Sequence, residues 1–309
     1  DGLVVPGKFP PDVVGTPDFI APEVVASARL PRNDPNRKLP DIQTDRHALA
    51  VLIYMYLLYR HPLRGRKVHD PDSTRDEELA MGERALFVED PVDPSNRINP
   101  GSARPSELPW ADTAKRPYTL TGPYLSPLIR RAFTDGLRNP QARPGADEWE
   151  SALVRTVDLL QPCINPSCEQ KWYVFDNSSR PKCPFCGTSF RGLLPVLNLY
   201  HATHKPGEFR PDNHRLMVYT GQSLYLWHAN RGVAPNERIT PEQAQRVGYF
   251  VFHNSQWWLV NERLPDMLDV SGNTAVPIGQ RIELKDGQQI LLAKGEGGRL
   301  LHVQMVDAR

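Results

Sequence analysis

Cysteine is scarce: there are four in 309 residues, all between Cys163 and Cys186. A disulfide framework spanning the chain is therefore excluded. Long apolar runs are also missing. No stretch is long and uncharged enough for a membrane-spanning helix, and no signal-peptide pattern occurs. Neither sign of charge dominates, with 37 Lys+Arg against 36 Asp+Glu and a net charge of +1. Bulk electrostatic attraction to nucleic acid has no basis here. The expectation is a cytoplasmic protein with no nucleic-acid partner and no membrane partner.

What is present is the composition of an ordinary folded protein, 39% hydrophobic and 24% charged. Thirty-one prolines point to many loops and turns. The length has room for two or three domains. The first residue is Asp1 rather than Met, which suggests a processed product or a fragment of a longer chain.

The stretch Thr44–Leu58 stands out. After His47 it carries no charge through Tyr59, and it is apolar on all sides, as a fully buried helix is. The Thr44-Asp45 pair suits the cap of its first turn, and Pro62 is expected to end it. A short way upstream lies Gly15-Thr16-Pro17-Asp18-Phe19-Ile20-Ala21-Pro22-Glu23. This resembles the end of the activation segment of Ser/Thr protein kinases, Gly-Thr-x-x-aromatic-x-Ala-Pro-Glu. In that family a buried helix opening with Asp follows, and Asp45-Arg46-His47-Ala48-Leu49-Ala50 occupies that place. Asn139-Pro140-Gln141-Ala142-Arg143-Pro144 resembles the family's late Pro-x-x-Arg-Pro signature.

The resemblance assigns roles to matching positions. Thr16 would lie near the catalytic Asp and contact the substrate. Glu23 would form a buried ion pair with Arg143, and Asp45 would accept hydrogen bonds from the catalytic loop. The plain alternative for each is a surface polar residue or a helix cap. Asp1-Gly2 would fall at or just past the metal-binding Asp-Phe-Gly position, or else be a frayed terminus. No Ser or Thr precedes Thr16, so ordering of the loop by phosphate has no acceptor there.

The catalytic parts themselves are missing. There is no Gly-rich phosphate loop, no Val-Ala-Ile-Lys-like strand and no His-Arg-Asp loop with its Asn. ATP and Mg²⁺ would belong to a complete parent protein, and this chain would be inactive. Residues 64–122 are expected to be a surface insertion, with one short helix over 76–86. Helical spacing marks 123–137 and 146–160 as the last helices of the lobe.

Cys163 and Cys168, then Cys183-Pro184-Phe185-Cys186-Gly187, form two close pairs. That pattern suits one structural Zn²⁺ held by four thiolates, as in a zinc ribbon. Two disulfides or iron are the alternatives. Trp172–Phe175 is expected to be a strand and 177–179 a turn.

From Gly192 onward short strands alternate with turns. They are expected at 194–200, 215–219, 223–227, 249–252, 257–260, 281–284, 289–292 and 301–305, as in a β-sandwich. Strand order and the Pro277–Gln280 turn resemble the forkhead-associated (FHA) fold, which binds phosphothreonine. Gln222 stands where that family has Arg. A phosphopeptide reader would need Arg215, Arg231 or Arg246 beside loop amides. Trp227, Phe250, Phe252, Trp257 and Trp258 supply aromatic surface for docking a protein. Adjacent in a strand, Trp257 and Trp258 should face opposite ways.

The expected fold is thus multidomain α+β: a partial kinase C-lobe over 1–160, a zinc ribbon over 161–192 and a β-sandwich over 193–309. The order of these modules, with Arg60-His61-Pro62-Leu63-Arg64-Gly65, resembles bacterial stress-response kinases encoded beside tellurite-resistance proteins. The function implied is the C-terminal portion of a Ser/Thr kinase acting on a protein substrate. The alternative is a pseudokinase or scaffold docking partners through the ribbon and the β-domain.

Overall fold

A computed structural model describes residues 16–176 and 181–307. The expected features at 1–14 and at the 177–179 turn lie outside those residues. The chain divides between Ala152 and Leu153 into two compact units, the first helical and the second mostly antiparallel sheet.

The first unit contains α1 (Pro22–Ser27), α2 (Ile42–Leu58), α3 (Ser73–Met81), α4 (Gly122–Phe133) and the short α5 (Asp135–Arg138); α6 (Ala146–Val157) begins in it. Two expectations about α2 need correction. Its cap is Asp41, whose carboxylate accepts from Gln43 N at 2.8 Å and Thr44 N at 3.0 Å. Thr44 answers by accepting from Asp41 N at 2.9 Å, a capping box one turn ahead of the Thr-Asp pair. The helix closes at Tyr59, in the left-handed region at φ 53°, before Pro62 is reached.

Nor is α2 buried all round. Thr44, His47, Val51, Tyr54 and Leu58 are buried. Ile42, Leu52 (41% exposed), Tyr56 (75%) and Tyr59 line another face at helical spacing, with Asp45 among them. The apolar run after His47 could not reveal this, because among those residues nothing distinguishes one face from another; only Asp45, two turns before Leu52, marks the exposed side.

The segment 64–122 also departs from the surface-loop expectation. Its helix is Ser73–Met81, capped by Asp72 and stopped at Gly82. Phe87, Val88, Glu89 and Asn96 are buried. Phe87 packs against Tyr54 and Phe133 at ring distances of 5.7 and 5.4 Å. Asn96 Nδ2 donates to the carbonyls of Leu63 and Leu86, at 3.0 and 2.6 Å. At Gly65 a Cβ would lie 1.7 Å from the Asn96 carbonyl oxygen, so the backbones can meet only with glycine there.

The second unit holds a two-stranded ribbon, β1 (Leu160–Pro162) with β2 (Trp172–Val174). Two larger sheets follow. The six-stranded sheet uses β3 (Leu193–Ala202), β4 (Phe209–Met217), β8 (Leu268–Asp269), β9 (Thr274–Ala275), β11 (Gln289–Leu291) and β12 (Arg299–Asp307). The four-stranded sheet uses β5 (Ser223–Tyr225), β6 (Arg246–His253), β7 (Gln256–Asn261) and β10 (Arg281–Glu283). Their spatial orders are β4-β3-β12-β11-β8-β9 and β10-β7-β6-β5, with all pairings antiparallel.

This arrangement is compatible with a β-sandwich. Trp257 on β7 is buried, and its Nε1 donates to Leu193 O on β3 at 2.9 Å, joining the two sheets. Trp258 takes the other side of the strand, under the Arg281 guanidinium 4.4 Å from the ring centroid. The strand expected at 223–227 is cut short: β5 ends at Tyr225, and α7 (Leu226–Ala229) follows. The cause is local, since Tyr225 N donates to His228 Nδ1 at 3.0 Å and starts a helical turn.

Among the described residues no helix is long and apolar enough to cross a membrane.

Candidate functional site

The four cysteines converge. Their sulfurs all lie within 4.8 Å of one another, a cluster that can hold a metal ion such as zinc. Two short turns bring them there. In the first, Cys163 N donates to Lys171 O at 2.6 Å and Cys168 N to Asn165 O at 3.0 Å. In the second, Cys183 N donates to Thr188 O at 2.8 Å and Gly187 N to Cys183 O at 2.9 Å. Gly187 sits at φ +76°, the left-handed region that favours glycine, and this closes the knuckle behind Cys186.

Two of the sulfur separations are close to those of a tetrahedral site. Four sulfurs bound at about 2.3 Å from one centre lie about 3.8 Å apart. Cys163 Sγ is 3.5 Å from Cys186 Sγ, and Cys168 Sγ is 3.9 Å from Cys183 Sγ. No disulfide joins them. Cys168 and Cys183 are buried, Cys163 is half-buried and Cys186 is exposed. Without an ion the two outer thiols differ. Burial pushes Cys163 up to about 12, while hydrogen bonds from Thr188 bring Cys186 down to about 6. Tyr173 is raised first by burial and then by the charge of the neighbouring cysteines. An ion would remove the mismatch by holding all four as thiolates.

In the first unit the structure brings together Glu23 and Arg143. The guanidinium takes both carboxylate oxygens, Nη1 to Oε1 at 2.8 Å and Nη2 to Oε2 at 2.7 Å. Arg143 Nε donates to Gly136 O at 2.8 Å and Nη1 to Gln43 O at 2.9 Å. The side chain of Arg143 is 1% exposed and that of Glu23 22%. Thr16 is exposed, with its carbonyl accepting from Phe19 N at 2.9 Å. Asp45 is exposed in the first turn of α2.

Two buried networks carry no sequence signature. Glu89 accepts from Arg60, from the Tyr54 hydroxyl at 2.6 Å and from Tyr118 N at 2.8 Å. Arg60 also donates to the carbonyls of Trp110 and Arg116, at 2.6 and 2.8 Å. Each partner is an ordinary charged or aromatic residue far away in sequence, so only the fold reveals the set.

The other network centres on Asp158. Its carboxylate accepts from His214 Nε2 at 2.6 Å and His228 Nε2 at 3.2 Å. Burial alone would raise this carboxyl, but His228 and His214 outweigh it and hold it near 2. His214 is lowered, mainly by burial. His228 Nδ1 accepts from Tyr225 N at 3.0 Å, so both ring nitrogens of His228 have protein partners.

The three arginines considered for phosphate each have a protein partner. Arg246 Nε and Nη2 hold both Glu262 oxygens at 2.6 and 2.7 Å. Arg231 Nη1 lies 2.9 Å from His201 Nε2, and Arg215 donates to Asp176 O.

No family model matches the sequence. No curated protein matches it either. Solved structures similar to the chain include the MEK1 FHA domain, at TM-score 0.24 and 11% identity over 36% of this chain and 89% of that one. They also include the yeast Pml1 splicing factor, at TM-score 0.24 and 16% identity over 38% of this chain and 83% of that one.

Proposed function

We propose that the chain is the C-terminal portion of a Ser/Thr protein kinase. Residues 1–160 then form the second half of its C-lobe, and residues 161–309 form its zinc-ribbon and β-domain attachments. The complete protein would transfer the ATP γ-phosphate to protein Ser or Thr. The chain alone would not, because the Lys, Asp and Asn that manage ATP and Mg²⁺ are not in this sequence.

One observation carries this reading. The Glu of the Ala-Pro-Glu motif and the Arg of the late Arg-Pro motif, 120 residues apart, form a two-pronged pair. The resemblance implies this contact between residues far apart in sequence, so its presence supports the reading. The uncovered face of α2 is a second support, since Leu52, Tyr56 and Asp45 point where further lobe would pack.

The scaffold reading keeps one support of its own. Tyr225 stacks on Trp227 at 4.2 Å, and the exposed Trp172 meets Tyr219 edge-on at 5.1 Å. Such half-exposed aromatic surface suits protein docking.

Phosphorylation assays with ATP and a generic protein substrate separate the two readings. A longer product of the same gene should label Ser and Thr, and the 309-residue chain alone should read background. An inactive longer product lacking a His-Arg-Asp loop would leave the scaffold reading. Activity in the short chain, lost on Thr16→Val or Asp45→Asn, would overturn the claim that it is inactive.

A further inference from the structure

The metal cluster has an inside and an outside. Cys168 and Cys183 are buried, at 3% and 0% exposure, whereas Cys186 is exposed and Cys163 half-buried. The outer two come from different knuckles, yet their sulfurs are the closer pair, at 3.5 Å against 3.9 Å for the inner two. Forming a disulfide needs that separation to shrink to about 2 Å, a short movement for two cysteines on surface turns. Thr188 Oγ1, 3.3 Å from Cys186 Sγ, sits on the exposed side of the same turn.

We propose that Cys186 is a peroxide-reactive modification site, and that its oxidation joins it to Cys163 and expels the metal ion. This rests on the reading of the four cysteines as a zinc site.

The chemistry balances with a hydroperoxide as oxidant. The Cys186 thiolate attacks the O–O bond of hydrogen peroxide. An S–O bond forms, hydroxide leaves and the sulfur is oxidised by two electrons to the sulfenic acid. The Cys163 thiolate then attacks that sulfur. The S–S bond forms as the S–O bond breaks, and the second hydroxide leaves and takes a proton to become water. Cys168 and Cys183 remain as two thiolates, too few to complete a four-ligand site, so the ion is lost. The connectivity distinguishes this order from the usual behaviour of a Cys-x-x-Cys turn, which would close Cys183 on Cys186.

The test uses the full chain, purified reduced and loaded with zinc. Metal analysis comes first. Less than one zinc per chain before any oxidant is added overturns the metal reading, and the proposal with it. With one zinc present, peroxide is titrated while a chromogenic chelator reports free zinc and peptide mapping reports the thiols. The expected result is loss of one zinc per Cys163–Cys186 disulfide, with dimedone trapped on Cys186 at early times. Reductant plus zinc should restore the starting state. In the zinc-loaded protein an alkylating agent should reach Cys186 first, Cys163 next and the inner pair last. A Cys183–Cys186 disulfide, dimedone on an inner cysteine, or zinc retained after Cys186 is oxidised overturns the proposal and leaves the zinc site standing.

Discussion

Arg143 holds Glu23 by both ends of its guanidinium and spends its other donors on two backbone carbonyls, those of Gly136 and Gln43. One side chain thereby ties the turn after α5 to the start of α2 and to α1. Gly136 makes room for it, since a Cβ there would lie 3.0 Å from Arg143 Cγ.

Glu23→Ala leaves the Arg143 charge buried and unpaired. The expected cost is about 3 kcal/mol, the low end for a broken buried pair because Glu23 is partly exposed. Arg143→Lys should also destabilise, because one ammonium cannot replace the fork and reach both carbonyls. Denaturant midpoints of the two variants check this, and wild-type midpoints for both would refute it.

His47 gives the first unit an acid-sensitive limb. Among the described residues neither ring nitrogen has a hydrogen-bond partner. Burial, with Arg143 and then His61 adding, brings it down to about 3. Between the ordinary value near 6.5 and about 3, the unfolded chain binds a proton that the folded chain does not. Stability should therefore fall as pH drops through that window, by about 1.4 kcal/mol per unit at most. His47→Leu should flatten the limb and be neutral or stabilising at pH 7, since it removes two unpaired buried nitrogens. Denaturation midpoints from pH 7 to 4 read both effects.

Asp158 has the opposite charge and the same direction. Its folded value, near 2, lies below the ordinary carboxylate value. Its contribution is present above about pH 4 and is lost as pH falls towards 2. Asp158→Asn removes the charge and one of the two acceptor oxygens that serve His214 and His228, and should cost about 2–3 kcal/mol at pH 7. A variant as stable as wild type would mean the histidines find other acceptors.

Removing the metal should loosen the ribbon over residues 161–192. Four unbonded thiols, with Cys168 and Cys183 buried, are a poor core without an ion. Chelator under reducing conditions should expose that segment to limited proteolysis, and added zinc should reverse it. Equal cleavage with and without zinc would remove the ion's structural role.

Some of this was legible from local pattern. The Cys-x₄-Cys and Cys-Pro-x-Cys-Gly spacings are short enough that turn chemistry alone brings each pair together. Alternation of apolar residues marked most strands, because period two survives wherever one face is buried. Residues 226–229 escaped it, since a single amide-to-imidazole bond turned a strand pattern into a helical turn.

By itself, then, the sequence determined the helix and strand periods, the two cysteine knuckles and the motif residues Glu23 and Arg143. The tertiary structure alone decided which cysteine faces solvent, which side of α2 stays uncovered, and that Glu89 and Asp158 lie at the centres of buried networks. The physical reason is range. Periodicity and turn chemistry act over a few residues, whereas burial and charge pairing depend on neighbours that are distant in sequence and that only the folded chain supplies.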